Sequence, residues 1–320
     1  MKAGRQNWHK SQNRPHQPQG KGGKADQPAT PIQYPLPKEV VAVFQHAQLD
    51  NPGLVFDRFA PDFSQAGKKN EWRKQALEKS RKAPHAGTLK AYQERWQALV
   101  KAAGATPFRM KTDWRFIPGL GRKSALEIGF SFHRYGFPFL PGSSVKGLAR
   151  AWALYELAYT LRLEASRLDA LDKLLEKEPE EFEKERDKFN LTSQDALKMA
   201  KDFRAIFGTL DQAGAVVFFD AIPAEQAFPL DIDIMTPHYG SYYQGKSAPT
   251  DSESPNPVTF LTVPAGKTFW FAIGGRKGVK APELEKLLPL ARRWLENALV
   301  ELGAGAKTAA GYGYFQMING

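Results

Sequence analysis

The chain has 320 residues, enough for one large domain or two small ones with a sizeable core. Hydrophobic residues make up 42% and charged residues 25%, an ordinary globular balance, and the absence of cysteine excludes a disulfide framework and a thiolate metal site. A net charge of +11 points to a polyanionic partner, and with no long apolar run or secretory leader the reading is no membrane and a cytoplasmic location.

Residues 1–24 carry Lys2, Arg5, Lys10, Arg14, Lys21 and Lys24 without one acid, among Gln, Gly and Pro. That composition cannot bury enough apolar surface to order itself. Residues 1–37 are therefore expected to form a disordered basic tail, serving either nucleic-acid contact or solubility. Residues 38–320 are expected to be a single domain. A helical segment at about 65–103 mixes Glu and Lys with Trp72, Leu77, Tyr92, Trp96 and Leu99, which predicts helices with a solvated basic face.

Between Ser124 and His133 the alternation is strict: Leu126, Ile128, Phe130 and Phe132 against Glu127, Gly129, Ser131 and His133, which predicts a strand with one buried face. "SSVKGLARAWALYEL" follows, a helix capped by Ser143 or Ser144 with Val145, Leu148, Ala149 and Trp152 as its inner stripe. A charged insertion at about 160–200, including "LDKLLEKEPEEFEKERDKF", reads as a solvated surface helix pair. "AGAVVFFDAI", "PLDIDIM", "VTFLTV" and "KTFWFAI" predict strands. Leu284, Leu287, Leu288, Ala291, Leu295, Ala298, Leu299 and Leu302 predict a long helix capped by Gly303, and alternation around Tyr312–Ile318 predicts a last strand. The order β-α-insertion-β-β-α-β predicts an α+β fold: a ferredoxin-like (RRM-like) antiparallel sheet with helices on one face, plus helical and thumb-like insertions.

Two segments have the chemistry of phosphate binding. "GAGAKTAAGYGYF" superficially resembles a nucleotide-binding loop, but a Walker lysine follows glycine, after a strand and before a helix. Here Ala306 precedes Lys307 and the loop joins a helix to a strand. Gly305, Lys307, Thr308 and Gly311 instead form a loop whose amides can approach a phosphate closely. In "LPGSSVKGLAR", Lys146 occupies a first helical turn, where the positive end of the dipole disfavours a cation unless an anion sits there too. Arg150, four residues on, would share its face, so Ser143, Ser144, Lys146 and Arg150 are expected to converge on phosphate.

The polar stretch at about 236–258 is rich in proline and carries His238, Tyr239, Tyr242, Tyr243 and Lys246, rings beside cations that suit base stacking. His238 is alternatively a general base for RNA cleavage, without a visible partner. Asp231 and Asp233 share one side of their strand; they could hold Mg²⁺ or transfer protons, but without a third ligand the favoured reading is contact with solvent or a basic neighbour. No pattern for a catalytic cluster, a metal site or a cofactor emerges.

The segments "NPGLVFDRFAP", "FIPGLGRKSALEIGFSFHRYGFPFLPGSSVKGLARAWA", "DIMTPHYGSYYQGK" with "SPNPVTFLTV", and the glycine loop, spanning Asn51 to Phe315, resemble the RAMP superfamily of CRISPR proteins. Within it they are similar to the family of subunit six of the type III-B (Cmr) effector complex. The resemblance implies a non-catalytic RNA-binding subunit in antiviral defence, capping the backbone filament near the 3′ end of the guide RNA. It implies as partners guide (CRISPR) RNA, target RNA, the backbone RAMP subunit, the small helical subunit and a second RAMP subunit. The glycine loop and the Ser143–Arg150 segment would face the guide backbone, and the 236–258 stretch would be a thumb-like insertion near the guide–target duplex. Two alternatives stay open: a RAMP endoribonuclease processing guide RNA through His238, and a free-standing RNA-binding module.

Overall fold

The computed structural model describes residues 34–46, 49–59, 69–236, 245 and 257–318. Most of the basic tail, and His238, Tyr239, Tyr242, Tyr243 and Lys246 of the polar stretch, lie outside these residues. Helices α1 (Lys38–His46), α2 (Pro52–Arg58), α3 (Lys69–Ser80) and α4 (Ala86–Ala102) precede strand β1 (Thr106–Thr112). A long irregular segment leads to α5 (Gly142–Thr160), then α6 (Leu168–Glu176), α7 (Pro179–Glu185) and α8 (Gln194–Phe207). Strands β2 (Val216–Phe218), β3 (Ile222–Pro223), β4 (Asp231–Met235), β5 (Val258–Thr262) and β6 (Thr268–Gly275) come before α9 (Ala281–Glu301) and β7 (Phe315–Met317).

The main sheet is antiparallel throughout, in the order β2-β6-β1-β7, and β3 also pairs with β6. Val216 lies opposite Gly275 and Ile222 opposite Trp270, so β2 and β3 are successive halves of one interrupted edge strand. β4 and β5 form a separate hairpin, with Asp231 opposite Thr262 and Met235 opposite Val258.

The first strand of the sheet is β1, not the alternating run at Ser124–His133. Leu126, Ile128, Phe130 and Phe132 are buried as the alternation requires, but their backbone is irregular. Glu127 is left-handed at φ 62°, and Gly129 and Ser131 donate to the carbonyls of Leu120 and Pro118 rather than to a strand partner. Gly129 and Ser131 are buried too, so the small residues of the alternation fill tight space instead of facing water. β1 escaped prediction because only Phe108 and Met110 supply inward apolar side chains, between outward Arg109 and Lys111.

The odd residues of β6, Phe269, Phe271 and Ile273, pack with Phe108 and Met110 beneath α5, α8 and α9. α5 contributes Val145, Ala149, Ala153 and Leu157, and α9 contributes Leu287, Ala291, Trp294, Leu295, Ala298 and Leu299, the stripes expected of helices buried on one side. Helices do not stay on one face, however. Trp270 and Ala272 of β6 and Ile222 of β3 point the other way and meet Leu89, Trp96 and Val100 of α4. The Trp96 and Trp270 rings are 5.6 Å apart, and Trp96 Nε1 donates to Asp220 O. Burying a tryptophan contributes on the order of 2–3 kcal/mol, enough to hold a helix there against its own marginal stability.

The charged insertion is more than a solvated pair. α6, α7 and α8 pack Leu171, Leu174, Leu175, Phe182 and Phe203 inward, while ion pairs such as Lys177–Glu185 cover their outer side. The dense charge hid an apolar stripe running at helical spacing. Among the described residues, no helix is long and apolar enough to cross a membrane.

Candidate nucleic-acid interface

The glycine-rich segment after α9 is a fixed loop. Ala304 N–H donates to Gly313 O, Gly313 N–H to Arg115 O, and Ala306 N–H to Ile117 O. These bonds clamp it against the segment that follows β1. At Gly313, φ is +80° and an added Cβ would stand 1.9 Å from Ala304 O; at Gly305 it would stand 2.4 Å from Ile117 O. Only glycine permits both approaches. Lys307 is itself left-handed, at φ 61°, and Thr308 to Ala310 form a 3₁₀ turn behind it. The amides of Lys307, Thr308 and Ala309 have no hydrogen-bond acceptor among the described residues. A left-handed residue leading into a right-handed turn brings successive N–H groups together as a concave anion cradle. The Lys307 ammonium has no carboxylate partner there and stands 5.7 Å from the centre of the Phe260 ring.

The turn Pro118–Lys123, which follows Ile117 of the clamped segment, carries two cations that the sequence reading passed over. Arg122 makes only a 3.4 Å contact with Phe130 O, and Lys123 is exposed; neither meets a carboxylate among the described residues. Their signal was present in "GLGRKS", adjacent cations following closely spaced glycines.

Arg115, by contrast, is committed internally. Its guanidinium bonds Asp233 and lies 3.7 Å from Asp231, while Tyr312 Oη donates to Asp233 at 2.7 Å. Burial pushes the Asp233 carboxyl upward, but the bonds from Tyr312, the Ile234 amide and Arg115 outweigh it and hold the group below the usual carboxylate range. Asp233 thus meets this chain's own Arg115 and Tyr312, with Asp231 partly exposed near the same guanidinium. These contacts tie the β4–β5 hairpin to the glycine loop, since Tyr312 belongs to that loop. Among the described residues, no group of three His, Asp or Glu side chains gathers where a metal ion could be held.

The start of α5 departs from the sequence expectation. Its N-cap is Pro141, with no side-chain cap, and Ser143 and Ser144 are exposed in the first turn. Gly142 N–H donates to Asp220 Oδ1 at 2.7 Å, so an internal carboxylate already meets the positive helix end. Arg150 does not join Lys146. It lies 2.7 Å from both Asp172 and Glu176 of α6, carboxylates that the insertion supplies, and 5.2 Å from the Phe203 ring centre of α8. Lys146 is half-buried with no carboxylate partner among the described residues; burial, then Arg150, push its ammonium pKa down. Of the four expected to converge, Ser143, Ser144 and Lys146 remain accessible to a phosphate and Arg150 is withdrawn.

The sequence pattern of the RAMP superfamily matches residues 106–316, from the first residue of β1 into β7. The Cmr subunit Cmr6 of the CRISPR system of Pyrococcus furiosus is 32% identical over 249 residues, which cover 70% of this chain and 71% of that protein. The crystal structure of Cmr6 from Pyrococcus furiosus, at 32% identity, covers 67% of this chain and 98% of that one, with a TM-score of 0.45. A chain in the cryo-EM structure of a type III-B Cmr-β complex bound to cognate target RNA shares the fold at a TM-score of 0.52 and 21% identity, over 79% of this chain and 73% of that one. On the matched strand-to-strand core and on the identity to its Pyrococcus relative, this chain belongs to the RAMP superfamily and, within it, to the Cmr6 family of CRISPR subunits.

Proposed function

We propose that the protein is a non-catalytic RNA-binding subunit of a type III-B Cmr effector complex. It caps the backbone filament near the 3′ end of the guide RNA and contacts guide and guide–target duplex. The observation that carries the RNA-binding part is the amide cradle of Lys307, Thr308 and Ala309, with the Lys307 ammonium unpaired by carboxylates among the described residues. Such a site reads phosphate and not sequence, which is what holding any guide requires. The sheet supports the same reading. Counting β2 and β3 as one strand and setting aside the separate β4–β5 hairpin, the strands of the main sheet with α5 and α9 run β-α-β-β-α-β, with the fourth, first, third and second strands side by side, the order of a ferredoxin-like domain.

The partners in this reading are guide and target RNA, the backbone RAMP subunit, the small helical subunit and a second RAMP subunit, in the cytoplasm. A relative's fold occurs in a Cmr complex bound to target RNA, which supports that setting. The non-catalytic part rests on the engagement of Asp233 with Arg115 and Tyr312, which leaves it poorly placed for proton transfer and Asp231 without a free carboxylate beside it. The test is to incubate the purified chain with guide-repeat RNA, with and without Mg²⁺. The RNA is expected to stay intact. Cleavage that disappears in His238→Ala would overturn the reading in favour of an endoribonuclease.

A further inference from the structure

α4 closes part of the sheet's outer face, so an open-sheet mode of base reading is not available over Trp270 and Ala272. Where α4 meets the turn at His133–Phe139, a different aromatic surface forms. The Tyr92 ring lies 4.5 Å from His133 and 5.9 Å from Tyr135, and His133 lies flat on Phe137 at 4.4 Å with the planes 13° apart. A cavity of about 420 Å³ opens over Tyr92 and Tyr135, with Arg95 and His85 on its rim. The Arg134 guanidinium stands 5.1 Å from the Tyr135 ring centre.

Packing explains Phe137, which is fully buried. Tyr92 and Tyr135 pack against the same cluster, but only on one side. Tyr92 and Tyr135 are only half-buried, and their hydroxyls have no hydrogen-bond partner among the described residues. Arg95 and Arg134 are exposed and meet no carboxylate among them. Burial, with Arg134 adding to it, lowers the His133 imidazole to about 4, so at neutral pH it supplies a flat uncharged ring. Aromatic faces beside free guanidinium groups match a planar base with a flanking phosphate. An acidic protein segment would use the arginines but leave the ring faces without a role.

We propose that Tyr92, Tyr135 and their His133 backing form a stacking site for one unpaired RNA base, with Arg95 and Arg134 meeting the adjoining phosphates. The proposal rests on the RNA-binding reading above and adds a site remote in sequence from the glycine loop.

The test uses the full chain and three labelled probes: an oligouridylate, a blunt fully paired RNA duplex, and an abasic ribose-phosphate oligomer. Tyr135→Leu keeps apolar volume but removes the ring. It is expected to weaken oligouridylate binding about tenfold, the size of one lost stack, and to leave the other two probes unchanged. Tyr135→Phe should bind like the parent. In parallel, 4-thiouridine in the oligouridylate should photo-crosslink the parent protein at Tyr92 or Tyr135, which keeps the test valid if Tyr135→Leu misfolds. Unchanged oligouridylate binding by folded Tyr135→Leu, an equal loss on the abasic probe, or crosslinks only outside the cluster would each overturn the stacking site. So would a defect confined to assembly with protein partners. If the parent holds no RNA at all, the RNA-binding reading falls with it; if Lys307→Ala weakens all three probes while Tyr135→Leu changes none, only the stacking site falls.

Discussion

At the scale of single residues, the glycine loop depends on contacts too close for any side chain. Gly313 combines a left-handed backbone with a Cβ position 1.9 Å from Ala304 O, whereas Gly311 is left-handed at φ +89° with open space around it. Gly311→Ala should therefore cost about 1–2 kcal/mol, the backbone penalty alone. Gly313→Ala adds a steric clash with backbone and should cost more than about 3 kcal/mol. Denaturant unfolding of both variants checks this, and equal stabilities would show that the loop relaxes freely. The sequence told much about this loop: Ala306 before Lys307, and the helix-to-strand context, removed the nucleotidase reading. It could not say where Arg150 goes. Asp172 and Glu176 lie 22 and 26 residues downstream on an insertion, and no local pattern pairs them with α5.

At the scale of elements, amphipathic stripes were the legible part. Val145 and Ala149 of α5 and the leucines of α9 fall where their period places them, and β4, β5 and β6 form where strands were read, although Ile234 of β4 is exposed against its alternation. Two failures have physical causes. β1 has too few inward apolar residues to announce itself, while Ser124–His133 alternates because a buried irregular segment fills space with glycine and serine between its large side chains. Of the apolar residues read in the 65–103 helices, Trp72, Leu77 and Trp96 are buried but Leu99 is exposed, and no local pattern says which face of the sheet receives α4. The insertion gives a prediction that separates structure from RNA binding. Arg150 has about one fifth of its side chain exposed and joins α5 to α6 through two ion pairs and the Phe203 ring. Partly exposed pairs contribute little each, and the buried stem adds packing, so Arg150→Ala should lower stability by about 1–2 kcal/mol. Its salt dependence of guide-RNA binding should match the parent. A slope reduced by one unit would return Arg150 to the phosphate-binding set.

At the scale of the whole molecule, the charge of +11 divides into cations tied to the fold and cations left free of carboxylates among the described residues. Arg73, Arg115 and Arg150 hold elements together through Glu127, Asp233 and the α6 carboxylates. Lys307, Arg122, Lys123 and Lys146 have no such partner there. Composition announced a polyanionic partner, but only the structure sorts which cations are available to one. The claim that the glycine loop holds guide phosphate is tested most directly by a salt titration of guide-RNA binding in the assembled complex, comparing the parent with Lys307→Ala. The account predicts an affinity about tenfold weaker, little change in sequence preference, and a slope of log K against log salt smaller by about one unit or slightly less, because about one counterion fewer is released. If folded Lys307→Ala leaves both affinity and slope unchanged, the loop is a connector and the RNA interface lies elsewhere.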